Sequence, residues 1–231
     1  PDDIELALLA AAYDAKPFVV SEVPDQDWVD KVRRELTPVE AGRFFVYGSY
    51  DAGKAQAFAC VNLGAETTET AVFTQGNLLR GDLLKLGADE LTLAIQRGAS
   101  NEFGVDISWW TAEELKRTLG DITPGLADES TMTVTARDRV SGLPTELAFA
   151  SHNIRIWMEP YLQKLRVFLR TSLANLPPRA AGDICQRGLL LSGGGSLQPG
   201  MAAFVEATIG VRAEVAEHPV AAGVIGAEKI A

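Results

Sequence analysis

Residues 189–200 read Leu-Leu-Leu-Ser-Gly-Gly-Gly-Ser-Leu-Gln-Pro-Gly, an apolar run that opens into three consecutive glycines. The run predicts a buried strand over 189–191, and the segment that follows predicts a helix over 199–209. Glycine lets a backbone approach a ligand closely, and a helix N-terminus offers free N–H groups to phosphate or sugar oxygens. A sharp turn without a ligand would have the same order of elements. Downstream, a strand is expected at 212–215 and a last helix over about 219–230. Strand alternating with helix in this way implies α/β architecture.

Moving upstream, the longest helix is expected from Ser151, read as its N-cap, to Leu176. Ile154, Met158, Tyr161, Leu162, Leu165, Phe168, Leu169 and Leu173 keep its 3.6-residue period. Pro160 removes one backbone donor inside it and predicts a kink. A hairpin is expected from 131–136 and 145–149 around Ser-Gly-Leu-Pro. A short helix over 111–119 would open on a Thr111/Glu114 capping box. A helix over 89–97 would point Leu91, Ala94 and Ile95 inward. Before these, strands are expected at 57–61, 70–74 and 78–86. Residues 1–52 follow a different pattern, with a short helix over 4–12 and a strand at 18–23. A helix opened by Asp25 or Asp27 then carries Trp28, and a strand is expected at 43–47. The polar, turn-rich Gly-Ser-Tyr-Asp-Ala-Gly-Lys at 48–54 is the candidate boundary.

The 231 residues are 47% hydrophobic and 23% charged, a globular composition, and carry a formal net charge of −10. That charge argues against a nucleic-acid partner, which needs basic surface. No apolar run is long enough to span a membrane. The first residues lack the basic start of a signal peptide, and a start at Pro1 suggests a processed or truncated chain, or an excerpt. Cys60 and Cys185 have no metal spacing and are expected to be buried thiols in a reducing compartment. His152 and His218 lack a nucleophile or carboxylate at a recognisable spacing, so no catalytic role is assigned to them. Trp109 and Trp110 are expected to pack beside the following helix.

The 189–200 loop resembles the adenosine-binding turn of the MreB-type bacterial actins. PPRAAGDICQRGLLLSGGGSLQPG at 177–200 and HPVAAGVIGAEKI at 218–230 resemble that family's C-terminal region, as do GADELTLAI at 87–95 and RDRVSGLPTEL at 137–147. The resemblance runs from about residue 56 to Ala231. It implies an actin-like (ribonuclease H-like) lobe over 53–231 with a smaller α+β subdomain inserted at about 87–150, preceded by a short α/β segment. It also implies adenosine contacts at Gly193, Gly194, Gly195 and Ser196. TAEELKRTLG at 111–120 resembles the helix that faces ribose and base, which places further contacts on Glu113, Glu114, Leu115 and Lys116. Of these, Glu113 and Lys116 are the principal pair.

Departures from the family pattern are concentrated at the phosphate hairpin. Where the family reads Asp-Ile-Gly-Gly-Gly-Thr-Thr, this chain has Asn62-Leu63-Gly64-Ala65-Glu66-Thr67-Thr68. Asn62 is neutral and a weaker partner for magnesium than the family's Asp. Ala65 and Glu66 replace glycines that approach the phosphates, whereas Thr67 and Thr68 keep their hydroxyls. Two like charges about 4 Å apart cost on the order of 4 kcal/mol at intermediate dielectric, roughly a thousandfold in affinity. ATP binding is therefore expected to be weak or lost, without hydrolysis, and magnesium is expected only with nucleotide. The family's first lobe, which carries its other phosphate loop, has no counterpart in 1–52. Instead PFVVSEVPDQDWVDKVRRELTPVEAGRFFVYGS at 17–49 resembles the N-terminal region of the PrmA ribosomal-protein methyltransferases. No glycine-rich cofactor loop follows it, so methyl transfer is not expected. The chain reads as a chimera, by natural fusion, frame accident or deliberate joining. Its expected role is a cytoplasmic, actin-like cell-shape module that meets filament subunits or itself. The alternative is a ribosomal-protein-binding fragment.

Overall fold

The computed structural model describes residues 39–41, 44–46, 57–74, 77–127 and 129–228, all within the unit Pro38–Ala231. The helices and strand expected at 4–12, 18–23 and from 25 onward, and the turn at 48–54, lie outside these residues. Strands β1 (Val39–Ala41) and β2 (Phe44–Val46) form an antiparallel ribbon.

Period-two alternation makes the next strand. In β3 (Phe58–Leu63), Ala59, Val61 and Leu63 are buried, while Phe58, Cys60 and Asn62 point to the other face. A four-residue turn leads into β4 (Thr68–Thr74), which pairs antiparallel with β3, and β5 (Asn77–Leu84) continues the meander with a bulge between Val72 and Phe73. The glycine-flanked strand β9 (Leu189–Ser192) lies parallel to β3, and β10 (Ala213–Val215) lies parallel to β9. The large sheet thus has the order β10-β9-β3-β4-β5. Its parallel strands β3 and β9 end side by side, and in such sheets ligands bind beyond the carboxyl ends of the strands.

Between β5 and β9 the chain builds a smaller sheet and most of the helices. Helix α1 (Asp89–Phe103) runs past the expected end at Arg97 and stops at Gly104, whose φ of 66° suits glycine. Gly98 does not end it. A Cβ there would lie 2.1 Å from the Trp157 ring, so the glycine lets α1 approach its neighbour. Strand β6 (Val105–Asp106) and helix α2 (Trp109–Leu119) follow. The cap of α2 is Ser108, whose Oγ accepts from the Thr111 N–H at 3.0 Å. The expected Thr111 capping box is thereby corrected by three positions. The hairpin of β7 (Thr131–Asp138) and β8 (Pro144–Ala150) forms as predicted, giving the sheet order β6-β7-β8.

Helix α3 (Ser151–Leu173) begins with Ser151 inside it rather than capping it. The Ala150 N–H donates to Asn153 Oδ1, and the Ser151 N–H donates to the Ser130 carbonyl. Helices α4 (Pro178–Arg187), α5 (Met201–Ile209) and α6 (Ala222–Glu228) complete the described residues. One continuous apolar core joins both sheets, from Val61, Leu189 and Leu191 through Ile95, Leu115, Met158 and Leu165 to Val134 and Phe149. Two expectations fail at the surface. Trp110 is 79% exposed, because it sits on the outer face of the first turn of α2. Cys185 is exposed on α4, whereas Cys60 is half-buried and desolvation pushes its thiol up. Among the described residues no helix is long and apolar enough to cross a membrane.

Candidate functional site

The hairpin turn, the glycine loop and α2 meet at the carboxyl ends of β3 and β9. The turn closes with the Gly64 N–H donating to the Thr67 carbonyl at 2.9 Å. Its outward carbonyls then cap α1: the Ala88 N–H donates to Gly64 and the Asp89 N–H to Ala65, each at 2.9 Å. Gly87 makes this possible, since a Cβ there would meet the Ala65 oxygen at 2.2 Å. The free N–H groups of a helix N-terminus thus meet protein carbonyls at this corner.

After β9 the chain turns at Gly193 (φ 81°) into a 3-10 turn, Gly194–Leu197. A Cβ at Gly193 would lie 2.3 Å from the Leu63 carbonyl oxygen, and one at Gly195 would lie 2.9 Å from it. These two glycines serve close packing of the loop on β3. Gly194 differs, being exposed with open space where its Cβ would be. Ser196 is buried and donates its hydroxyl to the Gly193 carbonyl at 2.7 Å. Gln198 ties the loop to α2, donating from Nε2 to the Gly120 carbonyl at 2.6 Å and the Lys116 carbonyl at 3.3 Å.

On α2, Lys116 and Glu113 form an ion pair with side chains only 9% and 15% exposed. Both also bond Thr92 of α1: the Lys116 Nζ donates to its Oγ1 at 2.8 Å, and the Thr92 hydroxyl donates to Glu113 Oε1. Burial raises the Glu113 carboxyl, but the Lys116 ammonium and Thr92 hydroxyl outweigh it and hold the group below its ordinary value. Lys116 also reaches the Ala88 carbonyl at 3.5 Å. Leu115 is wholly buried in the core, and Glu114 is exposed. Of the loop and α2 residues expected to contact a ligand, Gly194 and Glu114 are the exposed ones.

The β3–β4 hairpin is engaged with itself. Asn62 Nδ2 donates to Glu69 Oε2 at 2.8 Å, and Thr67 Oγ1 donates to Glu69 Oε1 at 2.7 Å. The Ser192 hydroxyl donates to Asn62 Oδ1 at 3.2 Å. Thr68 is buried and donates inward to the Leu86 carbonyl at 2.9 Å. Ala65 and Glu66 are exposed at the tip. Desolvation first, then the charges of Glu113 and Glu66, push the nearby Asp89 carboxyl up against the pull of Lys116. A resident magnesium does not fit this donor set: Asn62 offers a neutral amide already bonded to Glu69. Among the described residues no three His, Cys, Asp or Glu converge to hold a metal. Glu69 joins the site from outside the quoted motifs, whereas Ala88, Thr92 and Gln198 lie within 87–95 and 189–200 without having been singled out there. Cross-strand pairing of Asn62 with Glu69 is the signal for the first of them, and the others act through neighbours on other elements.

A five-stranded mixed sheet, a glycine loop packed on the end of its central strand and an inserted smaller sheet define the second large lobe of an actin-like protein. The MreB/Mbl protein family model matches residues 48–231, and the chain belongs to that family. It is 26% identical over 166 residues to the cell shape-determining protein Mbl of Bacillus cereus, covering 72% of this chain and 50% of that protein. With the cell shape-determining protein MreB of Escherichia coli, identity is 29% over 160 residues, covering 69% and 46% respectively. The fold superposes on MreB 5 of Spiroplasma citri bound to AMPPNP with a TM-score of 0.69 at 25% identity, covering 75% of this chain and 52% of that one. The chain spans about half the length of the curated relatives it matches. The stretch at 17–49, for which a methyltransferase resemblance was expected, lies almost wholly outside the described residues.

Proposed function

We propose that this chain is an MreB-like, actin-family cell-shape module whose adenine-nucleotide site is incomplete and does not hydrolyse ATP. The observation that carries the proposal is the state of the phosphate hairpin. Asn62 stands where the family has its magnesium-linked Asp and donates to Glu69, while Glu66 projects from the turn. The adenosine side keeps more of its character: Gly194 has an open face, and α2 is fixed beside the loop through Gln198. Adenosine is bound weakly and without an ordered magnesium against the open face of Gly194 and the exposed Glu114, with Gly193, Gly195, Ser196 and the Glu113–Lys116 pair packed behind them as support. The module acts in the cytoplasm by associating with filament subunits or with itself.

Phosphate release from ATP by the full chain, with and without magnesium, tests the loss of hydrolysis. No release above buffer is expected, and steady turnover abolished by a Gly194 substitution overturns it. Co-sedimentation with MreB-type filaments tests the assembly role. The chain should pellet with polymer or change its yield, and a chain left in the supernatant with yield unaltered removes that part of the proposal.

A further inference from the structure

We infer that the outer edge of the large sheet is a docking surface for a second copy of this chain, which pairs β5 with β5 about a two-fold axis at Gly81. This deepens the proposed function, resting on its self-association part and not on the nucleotide site. Among the described residues β5 is an outermost strand, bonded to β4 on one side only. It is eight residues long and contains no proline. Such an edge is a ready template for another strand unless something blunts it. Leu78 and Leu83 are 59% and 55% exposed on it, and Leu79 is exposed as well.

The strand's own sequence says which partner fits. Leu78-Leu79-Arg80-Gly81-Asp82-Leu83-Leu84 is a palindrome of chemical character centred on Gly81. Laid antiparallel on itself, it sets Arg80 opposite Asp82, Leu79 opposite Leu83 and Leu78 opposite Leu84. Directly opposed residues of an antiparallel pair share a face, with Cβ atoms about 4.5–5.5 Å apart. Each copy's Arg80 then meets the other's Asp82, and the leucines cover one another. Within one chain Arg80 and Asp82 already pair, Nε to Oδ2 at 2.7 Å, and both are one-third exposed. Arg80 Nη1 also donates to the Ala174 carbonyl at 3.1 Å, which holds the guanidinium in place. Two-fold pairing joins the two ion pairs into one row of alternating charge. The same sequence rejects the neighbouring registers. A slip of two residues brings Arg80 onto Arg80 or Asp82 onto Asp82, and a slip of one turns the partner's buried face to the opposite side of the sheet. The result is a closed dimer with a continuous sheet, in which neither copy keeps this edge open.

Sedimentation velocity of the full chain over a concentration series tests the inference, run on wild type, R80D, D82R, an equimolar mixture of those two variants, and L83K. The net charge of −10 makes two copies repel at long range, so the runs use about 0.15 M salt, where the screening length is about 8 Å. Wild type should reach twice the chain mass. R80D opposes like charges in its self-pair, and D82R does the same. Symmetry alters two contacts at once, so dimerisation should weaken about tenfold or more in each. The mixture places opposite charges across both contacts and should recover wild-type dimerisation to within about threefold. Neither misfolding nor loss of the internal Arg80–Asp82 pair can produce that recovery. L83K keeps both charges and changes an exposed side chain, and it should weaken the dimer too. If circular dichroism shows R80D or D82R to be unfolded, L83K decides, and dimerisation at wild-type strength in L83K then overturns the inference. A wild-type chain that stays monomeric overturns it, as do single variants that dimerise like wild type or folded variants whose mixture stays monomeric. Dimerisation without filament co-sedimentation removes the filament part of the proposed function and leaves the inference standing. Co-sedimentation by a monomeric chain does the reverse.

Discussion

Lys116 and Glu113 show how one residue's role changes once its surroundings are known. At the sequence level they resemble groups that face a ribose and base. In the fold they satisfy each other and Thr92, nearly out of water. Removing one partner of a buried pair leaves the other uncompensated, typically at a cost of about 3–5 kcal/mol. K116M should therefore lower stability by about 3 kcal/mol in urea unfolding, and E113Q should cost less because its amide still accepts a hydrogen bond. Glu113 has a lowered folded pKa, so its contribution is present above the ordinary carboxyl range and lost as pH falls through the folded value. E113Q should accordingly flatten the acid limb of the stability profile. Tyr161 has the opposite sign. Desolvation pushes it up to about 12 against a bond to Thr68, so the folded state keeps its proton longer than the unfolded chain. Its contribution is complete below about pH 10 and disappears as pH rises towards the folded value. Y161F should remove about one proton's worth of slope in that window, read from urea midpoints between about pH 9 and 12. An unchanged slope would place Tyr161 in contact with water.

At the scale of elements, the glycines of the loop separate cleanly into two kinds. Gly193 combines a φ of 81° with a Cβ position 2.3 Å from the Leu63 carbonyl oxygen, whereas Gly194 has open space. G193A should destabilise by more than about 2 kcal/mol, because left-handed strain adds to a backbone clash. G194A should stay within about 0.5 kcal/mol of wild type while weakening adenosine binding. Equal melting temperatures for the two variants would contradict this division. Gly98 supplies a parallel case at the crossing of α1 and α3. G98A drives a methyl into the Trp157 ring and should cost about 1–3 kcal/mol or more, with a shift in tryptophan emission. These glycines also show what can be read from the sequence. The run at 189–200 specifies strand, turn and helix in order, because an apolar triplet ending in glycines has few alternatives. Alternation places β3 and the β7–β8 hairpin as well. The end of α1 escapes such reading because Gly98 matters only through Trp157, a residue of another helix. The cap of α2 escapes it because Trp109 and Trp110 hide the helix start at Ser108. The packing of the loop escapes it for the same reason: nothing local in Gly-Gly-Gly says that its first and third members face Leu63.

At the scale of the molecule, the question is whether the inserted smaller sheet behaves as a separate body. Its strands contribute Val105, Val134, Ala136 and Phe149 to the same core that contains Ala59, Val61, Leu189 and Leu191 of the large sheet. Helices α1 and α3 run between the two groups, and Leu91, Ile95, Met158 and Leu165 are fully buried where they do so. The aromatic cluster of Phe103, Phe149 and Trp157 joins β8 to both helices, with ring centroids 5.3 to 6.0 Å apart in edge-on geometry. The Lys116–Thr92–Glu113 network fastens α2 to α1 in the same layer. Opening the small sheet alone would strip apolar surface from both helices and expose a buried ion pair. That opening should therefore cost nearly as much as unfolding the whole body. Native-state hydrogen exchange read by mass spectrometry gives the opening free energy of each segment. Amides of β3 and β9 and those of β7 should agree within about 1 kcal/mol and should fall together in K116M. If β7 exchanged through an opening several kcal/mol cheaper than β3, the two sheets would be independent units. The corner that α2 and the glycine loop build together through Gln198 would then be held by the weaker of them.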